Sequence, residues 1–245
     1  MKFLTHILHL IGSAGVAYIY SSQIRDSLTR PNVLAGFQLA ESGSVPFLEA
    51  LSRRAAAEGN DWLAQKLAKH AQDEAKHGQI FAHALKQLDK QVIDFKKLPE
   101  TKADGKPDER RRSPFFEAFF AGYSPEQLKP EAIDWKVFMA STYTLEVDAS
   151  KDFARMANVL PEDESTSRNL KQGMLSIAND ETGHAAYLYE AMTRHLPAAE
   201  VQELVDEWRK RKVDAMLAMV GGLFQRQGKM PSLVQDGAPT ELATA

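Results

Sequence analysis

The sequence contains no cysteine in its 245 residues. Disulfides, iron–sulfur clusters, thiolate zinc sites and thiol nucleophiles are therefore excluded, and any metal must be held by His, Asp or Glu. Charge of neither sign is in surplus: 30 Lys and Arg stand against 33 Asp and Glu, a formal net charge of −3 with a pI near 6.2. The basic residues are mixed with acids rather than gathered on one stripe, so no nucleic-acid partner is expected. The chain has no glycine-rich nucleotide loop, which leaves any reducing equivalents to an external electron donor. Alternating β-branched stretches are missing too, and apolar residues recur at helical spacing, so the expected fold class is all-α.

From Phe3 to Ile24, the segment "FLTHILHLIGSAGVAYIYSSQI" holds no Asp, Glu, Lys or Arg. A secretory signal or a membrane anchor would have that property. Thr5, His6, His9, Gly12, Ser13, Gly15, Ser21 and Ser22 interrupt it, however, and the favoured reading of residues 1–30 is a buried or partner-facing helix. Membrane contact is the less favoured alternative, and a cytoplasmic location is expected.

Helical periodicity runs from Pro31 to about Leu88, broken by "AEGND" at 57–61, which predicts a helical hairpin. Residues from about 92 to 130 are rich in Pro, Gly and charge and carry an aromatic knot at Phe115, Phe116, Phe119 and Phe120, the composition of a long crossover with a short helix in it. A second helical pair is predicted over about 131–158 and 164–196, separated at Pro161 and capped at Ser165 or Thr166. Residues 197–245 read as a further helix, to about 225, and a polar tail. Hairpin, long crossover, hairpin is the plan of an up-down four-helix bundle over 31–196 whose second and third helices run in the same direction.

The same five-residue pattern, Asp-Glu-x-x-His, occurs twice, as Asp73-Glu74-Ala75-Lys76-His77 and as Asp180-Glu181-Thr182-Gly183-His184. Chance would supply about half of one Glu-x-x-His in a chain with seven histidines. Residues three apart share a helix face, so each motif presents a carboxylate and an imidazole to one point. The first helix of each predicted hairpin adds a lone acid among small and apolar residues: Glu41 in "GFQLAESGS" and Glu146 in "STYTLEVDAS". A carboxylate buried there must be paired, protonated or bound to metal. Glu41 and Glu74 are separated by 33 residues and Glu146 and Glu181 by 35, the interval that brings a helical hairpin back to the same height. Four glutamates and two histidines are thus expected at one level.

This ordered set resembles that of the ferritin-like di-iron carboxylate superfamily over roughly residues 32–195. The resemblance implies Glu41 and Glu146 as terminal ligands, Glu74 and Glu181 as bridging carboxylates, and His77 and His184 as nitrogen ligands. It further implies Asp73 and Asp180 as outer acids accepting the free ring N–H of the opposite motif's histidine. Two iron ions are the expected cofactor, with manganese or a mixed pair as alternatives.

The function implied is a di-iron oxidoreductase that activates dioxygen or peroxide and oxidises a small or apolar organic substrate. The alternatives are a rubrerythrin-like peroxide reductase, an iron oxidation and storage protein, and a non-catalytic metal-binding interaction protein. The sequence is similar in texture to rubrerythrin around "LAKHAQDEAKH", but Tyr143 stands where that family carries a further Glu, and cysteines for a rubredoxin centre are absent. Expected partners are the small-molecule substrate, the electron donor and at most a second copy of the chain as a homodimer.

Tyr143, one turn before Glu146, is the candidate catalytic residue, with a core role as its alternative. His70 and His83 read as surface or core histidines. Phe37, Ala40, Ser44, Val45 and Leu48 form an apolar stripe that suits core or a substrate channel, and "EWRKRK" at 207–212 reads as a solvated helix face.

Overall fold

The computed structural model describes residues 3–101, 105, 108–225 and 231–237. Within them the chain forms α1 (Phe3–Arg25), α2 (Arg30–Ala57), α3 (Asp61–Gln87), β1 (Lys90–Val92), α4 (Pro114–Phe119), α5 (Trp135–Val159), α6 (Ser165–His195), α7 (Ala198–Gln225) and β2 (Val234–Asp236).

Local chemistry makes the first hairpin. Gly59 takes a φ of 77°, a conformation open to glycine without steric cost, and the Asn60 side chain then accepts the Leu63 N–H to start α3. Pro31 occupies the first turn of α2, where its missing N–H costs nothing. At the start of α5 the Asp134 carboxylate accepts the Lys136 and Val137 N–H groups. In α6 the expected cap at Ser165 or Thr166 is replaced: Ser165 is already helical, and Glu164 holds the cap position without a side-chain cap bond. Ser167 instead ties that corner by donating to Glu164 Oε2 at 2.8 Å and accepting from Arg30 Nη1 at 3.2 Å.

The most extensive helix packing is α2 on α3 and α5 on α6, and α3 meets α6 to join the two hairpins. Gly173 permits that meeting, since a Cβ there would lie 2.5 Å from Ile80 Cγ2.

The bundle interior is divided into two apolar clusters. Leu48, Leu51, Leu63, Leu67, Phe138, Ala140, Leu188 and Met192 belong to one; Val33, Leu34, Phe81, Leu85, Phe153, Met156, Met174 and Ile177 belong to the other. Each of α2, α3, α5 and α6 runs from one cluster into the other, and the polar residues Glu41, Glu74, Glu146 and Glu181 fall where it crosses over.

The crossover carries α4, whose Ser113 cap accepts the Phe116 N–H. Its aromatic knot packs on α7, with the Phe119 and Phe120 rings 5.0 and 5.5 Å from buried Trp208. One feature was not anticipated from the sequence: β1 pairs antiparallel with β2 in the register Lys90↔Asp236, Gln91↔Gln235, Val92↔Val234. Three residues are too few for a period-2 signal. The remainder of the expected polar tail, 226–230 and 238–245, lies outside the described residues.

The charge-free N-terminal segment forms α1, which packs on α2, α5 and α7. Ala17 and Ile24 are buried, whereas Leu8, Leu10, Ile11 and Tyr18 are exposed. None of the described helices is long and apolar enough to cross a membrane.

What α1 meets on α5 is a buried charge. Asp148 Oδ2 lies 2.8 Å from Lys212 Nζ of α7 and 3.2 Å from His9 Nε2, and accepts from Ser13 Oγ at 3.4 Å. Burial raises the Asp148 carboxyl, but His9 and Lys212 outweigh it and hold the group well below the usual carboxylate range. With side-chain exposures of 10% and 9%, Lys212 and Asp148 form a pair whose rupture leaves a charge stranded. Lys212→Met is expected to destabilise the fold by about 3 kcal/mol, the cost of breaking a buried pair from one side, read from urea unfolding. A change below about 1 kcal/mol would mean that solvent reaches the pair.

Candidate metal centre

The crossover level of the bundle gathers two donor groups. His70, Glu74, Glu146, Glu181 and His184 form one; Glu41, Glu74, His77 and Glu181 form the other. Within each group the donor atoms lie within 4.8 Å of one another, and Glu74 and Glu181 belong to both. All six residues expected from the sequence are therefore brought together.

The histidines are held at both ends. His77 Nδ1 faces inward, 3.4 Å from Glu41 Oε2, 3.4 Å from Glu181 Oε1 and 4.0 Å from Glu74 Oε1, while its Nε2 lies 3.3 Å from Asp180 Oδ2. His184 Nδ1 lies 2.7 Å from Glu181 Oε2, and its Nε2 lies 3.4 Å from Asp73 Oδ2. Each motif's aspartate thus faces the other motif's histidine. Asp73 is bonded as well by Lys69 and, at 3.2 Å, by Lys76; despite burial, those lysines and His184 keep its carboxyl below the ordinary value. The Ser44 hydroxyl donates to the Glu41 backbone carbonyl at 2.6 Å and lies 3.2 Å from Glu74 Oε2. Gly78, next to His77, lets α2 come close, since a Cβ there would sit 2.3 Å from Ser42 Oγ.

His70, expected as a surface or core histidine, and Tyr187 both belong to this level. His70 Nε2 is 3.0 Å from Glu74 Oε1 and 3.4 Å from Glu146 Oε1, and its Nδ1 is 2.8 Å from the buried Tyr187 hydroxyl. The signal was present in the spacing: His70, Glu74 and His77 follow each other at four and three residues on one stripe of α3, as Glu181, His184 and Tyr187 do at three and three on α6. Tyr143 was expected to share the ligand face of Glu146. Its ring instead packs 5.6 Å from Tyr189, half-buried. The phenol whose hydroxyl lies at the donors is Tyr187, with His70 Nδ1 at 2.8 Å. His83 bonds Gln87 at the surface. Phe37 packs among Tyr20, Phe81 and Phe153, and Leu48 lies in the core.

Without metal, protons settle unevenly on the four glutamates. Burial, then the hydrogen bond to Glu74 and the charges of Glu74 and Glu146, raises Glu41 well above its ordinary value. Burial and the charges of Glu146, Glu74 and Glu41 raise Glu181 strongly. Glu74 is brought down to about 2, against burial, by His70, Glu41 and His77. Glu146 is lowered too, against burial, chiefly by His70 and Glu181. His70 is carried well above its ordinary value, against burial, by Tyr187, Glu146 and Glu74. His184 is pushed down to about 4 by burial and the His70 charge.

The donor set fits a metal ion. His77 Nδ1 is buried and makes no hydrogen bond although three carboxylates surround it; a buried, unpaired polar nitrogen carries a penalty that a Lewis acid would remove. Glu41 and Glu181, the two carboxyls raised above the ordinary value, are the groups whose protons a divalent cation would displace.

No protein-family model, curated protein or solved structure matches the chain. The site's own chemistry is therefore what identifies it as a buried His and Glu cluster able to hold metal.

Metal-free protein should lose stability as pH rises. Glu41, Glu181 and His70 have folded-state values above their unfolded ones. The folded chain therefore keeps protons that the unfolded chain releases, and ∂ΔG/∂pH is negative above pH 6.5. Glu74 and Glu146 act oppositely only below 4.5, and His184 only between about 4 and 6.5. The melting temperature of chelator-treated protein is expected to fall from pH 6.5 to about pH 9, and added divalent metal to reverse the trend, because its ligands must be deprotonated. A melting temperature that climbs over that interval without metal would contradict the proton assignment.

Proposed function

We propose that the chain is a dinuclear metalloenzyme of the ferritin-like type, an oxidoreductase that uses iron, or manganese in its place, to oxidise a small or apolar organic substrate with dioxygen or peroxide. The observation that carries this reading is the pair of donor groups sharing Glu74 and Glu181, beside the orphaned His77 nitrogen. When bound, two adjacent redox metals supply electrons in pairs, which oxygen-derived oxidants require. Carboxylate-rich oxygen and imidazole donors suit iron and manganese, whereas structural zinc closes with four ligands.

The residues divide the work. Glu74 and Glu181, common to both groups, would span the two positions; Glu41 and Glu146 would each serve one. Asp180 and Asp73 face the outer nitrogens of His77 and His184, an arrangement that keeps the inner nitrogens free of protons and fixes ring orientation. His70, 3.0 Å from Glu74 Oε1, orients the oxygen of Glu74 that faces the histidines. Apolar residues above and below keep bulk water from the level, which strengthens every electrostatic contact within it. The site has no nucleotide-binding loop near it in sequence, so the electron donor is a separate molecule.

Two measurements test the reading. Reconstitution with ferrous iron is expected to give two metals per chain, one for each donor group, and a His77→Ala, His184→Ala double variant is expected to lose them. Stopped-flow mixing of the reduced protein with dioxygen and with peroxide is expected to show oxidation by at least one. Ferrous protein inert to both would remove the oxidoreductase reading, and iron accumulating far beyond the two donor groups would favour storage. Asp180→Asn should weaken metal binding by about tenfold or more while leaving the fold intact; an unchanged affinity would show that Asp180 does not set the His77 ring.

A further inference from the structure

We propose that His70 is a third imidazole donor and that it makes the two metal positions unequal, so that a nitrogen-preferring divalent metal fills the His70–His184 position before the Glu41–His77 position. The proposal rests on the reading of the cluster as a metal centre and adds to it an order of filling and a selectivity.

The three buried histidines share one construction. His77 sends Nδ1 inward and Nε2 to the Asp180 carboxylate. His184 sends Nδ1 inward and Nε2 to the Asp73 carboxylate. His70 sends Nε2 inward, to Glu74 and Glu146, and Nδ1 to the Tyr187 hydroxyl. Metal-ligating histidines almost always commit their second ring nitrogen to an outer oxygen in this way, which fixes the tautomer and the ring plane.

Geometry places His70 on one side. Its ring stacks on that of His184, with centroids 3.7 Å apart and planes inclined by 25°, whereas the His77 ring lies 6.0 Å from His184. All three inner nitrogens approach Glu74 Oε1, His70 at 3.0 Å, His184 at 3.8 Å and His77 at 4.0 Å, but His70 also lies 3.4 Å from Glu146 Oε1 whereas His77 lies 3.4 Å from Glu41 Oε2. The resulting donor groups are two imidazoles with three carboxylates, and one imidazole with three carboxylates. Imidazole favours the later first-row metals, and carboxylate the harder ions such as manganese. A centre so built would load in two steps and would accept two different metals without scrambling them.

Tyr187 then has a role that a core tyrosine lacks. Its hydroxyl, buried with the rest of the residue, has His70 Nδ1 at 2.8 Å. With a metal in place of the Nε2 proton, the hydroxyl would accept the Nδ1 proton and so keep the His70 lone pair at Nε2. Tyr187→Phe would leave the ring in place and remove only that acceptor.

The test uses the full chain, stripped of metal by chelation, with one equivalent of Cu²⁺ as probe, since copper leads the divalent affinity series. Pulsed EPR then counts the imidazoles coupled to the copper electron. Two are expected in the wild type and one in His70→Gln. Calorimetric titration with Co²⁺ is expected to show two resolved steps in the wild type, with the stronger step weakened about tenfold by Tyr187→Phe. A single imidazole in the wild type would overturn the proposal without any variant. A count of two that survives His70→Gln would overturn it as well, since His70 would then be only a counter-ion. Stoichiometric copper and cobalt binding with either of those counts leaves the metal centre standing and removes only the inequality. Failure of wild-type protein to bind either ion in fixed stoichiometry would overturn the centre and the proposal together.

Discussion

Burying four carboxylates between two apolar clusters is the constraint on which the rest of this structure depends. Glu41, Glu74, Glu146 and Glu181 each occupy the point at which a helix passes from one hydrophobic cluster to the other. Left ionised and unpaired, each would impose a desolvation cost of several kcal/mol. The chain meets that cost with three imidazoles, with the Glu41 and Glu181 carboxyls raised above the ordinary value and, on the proposed reading, with metal. Helix spacing, small residues at helix contacts and the outer hydrogen bonds all serve to hold this polar level together within an otherwise apolar interior.

The supporting elements outside the two hairpins follow from the same need for fixed geometry. Asp148 lies two residues beyond Glu146 on α5, and Lys212, His9 and Ser13 fasten it to α7 and α1. Lys212 also reaches the Thr144 carbonyl, two residues before Glu146. The segment of α5 that carries Glu146 is thus clamped from its outer side by a second buried charge cluster. Trp208, enclosed by Phe119, Phe120 and Tyr123, seats α7 firmly enough to present Lys212 there. The N-terminal helix contributes through two polar side chains amid its apolar run, the same residues that interrupt the segment's hydrophobicity in the sequence.

The duplication of the motif does not produce two equal halves. Each hairpin brings a lone glutamate and an Asp-Glu-x-x-His, yet only α3 carries a further histidine one turn before its glutamate, and only α6 places a tyrosine to meet it. The two ends of the cluster consequently differ in nitrogen content, in hydrogen bonding and in where protons reside. Such inequality suits a centre in which the two positions are handled differently, either during loading or during turnover.

The grouping of the buried Glu and His residues was legible in the sequence because two requirements left periodic traces: helices impose a three- and four-residue spacing on side chains that share a face, and a buried acid among apolar neighbours has few explanations. The hairpin boundaries were legible for similar reasons, since Gly59 with Asn60 and Asp134 act within a few residues of themselves. His70 could be placed on the right stripe of α3 but not assigned, because its meaning comes from Tyr187 Oη and Glu146 Oε1, 117 and 76 residues away along the chain. Tyr143 has a spacing from Glu146 that suits one helix face, but its ring contact with Tyr189, 5.6 Å away on another helix, is not visible in that spacing. The Asp148–Lys212 pair and the β1–β2 pairing are likewise contacts between distant segments. Sequence alone determined which residue types recur on which helix faces, because that is a local property of the backbone. Which of them meet, and with which atom of each ring turned inward, was decided only when the helices packed, because those distances depend on the relative placement of elements far apart in the chain.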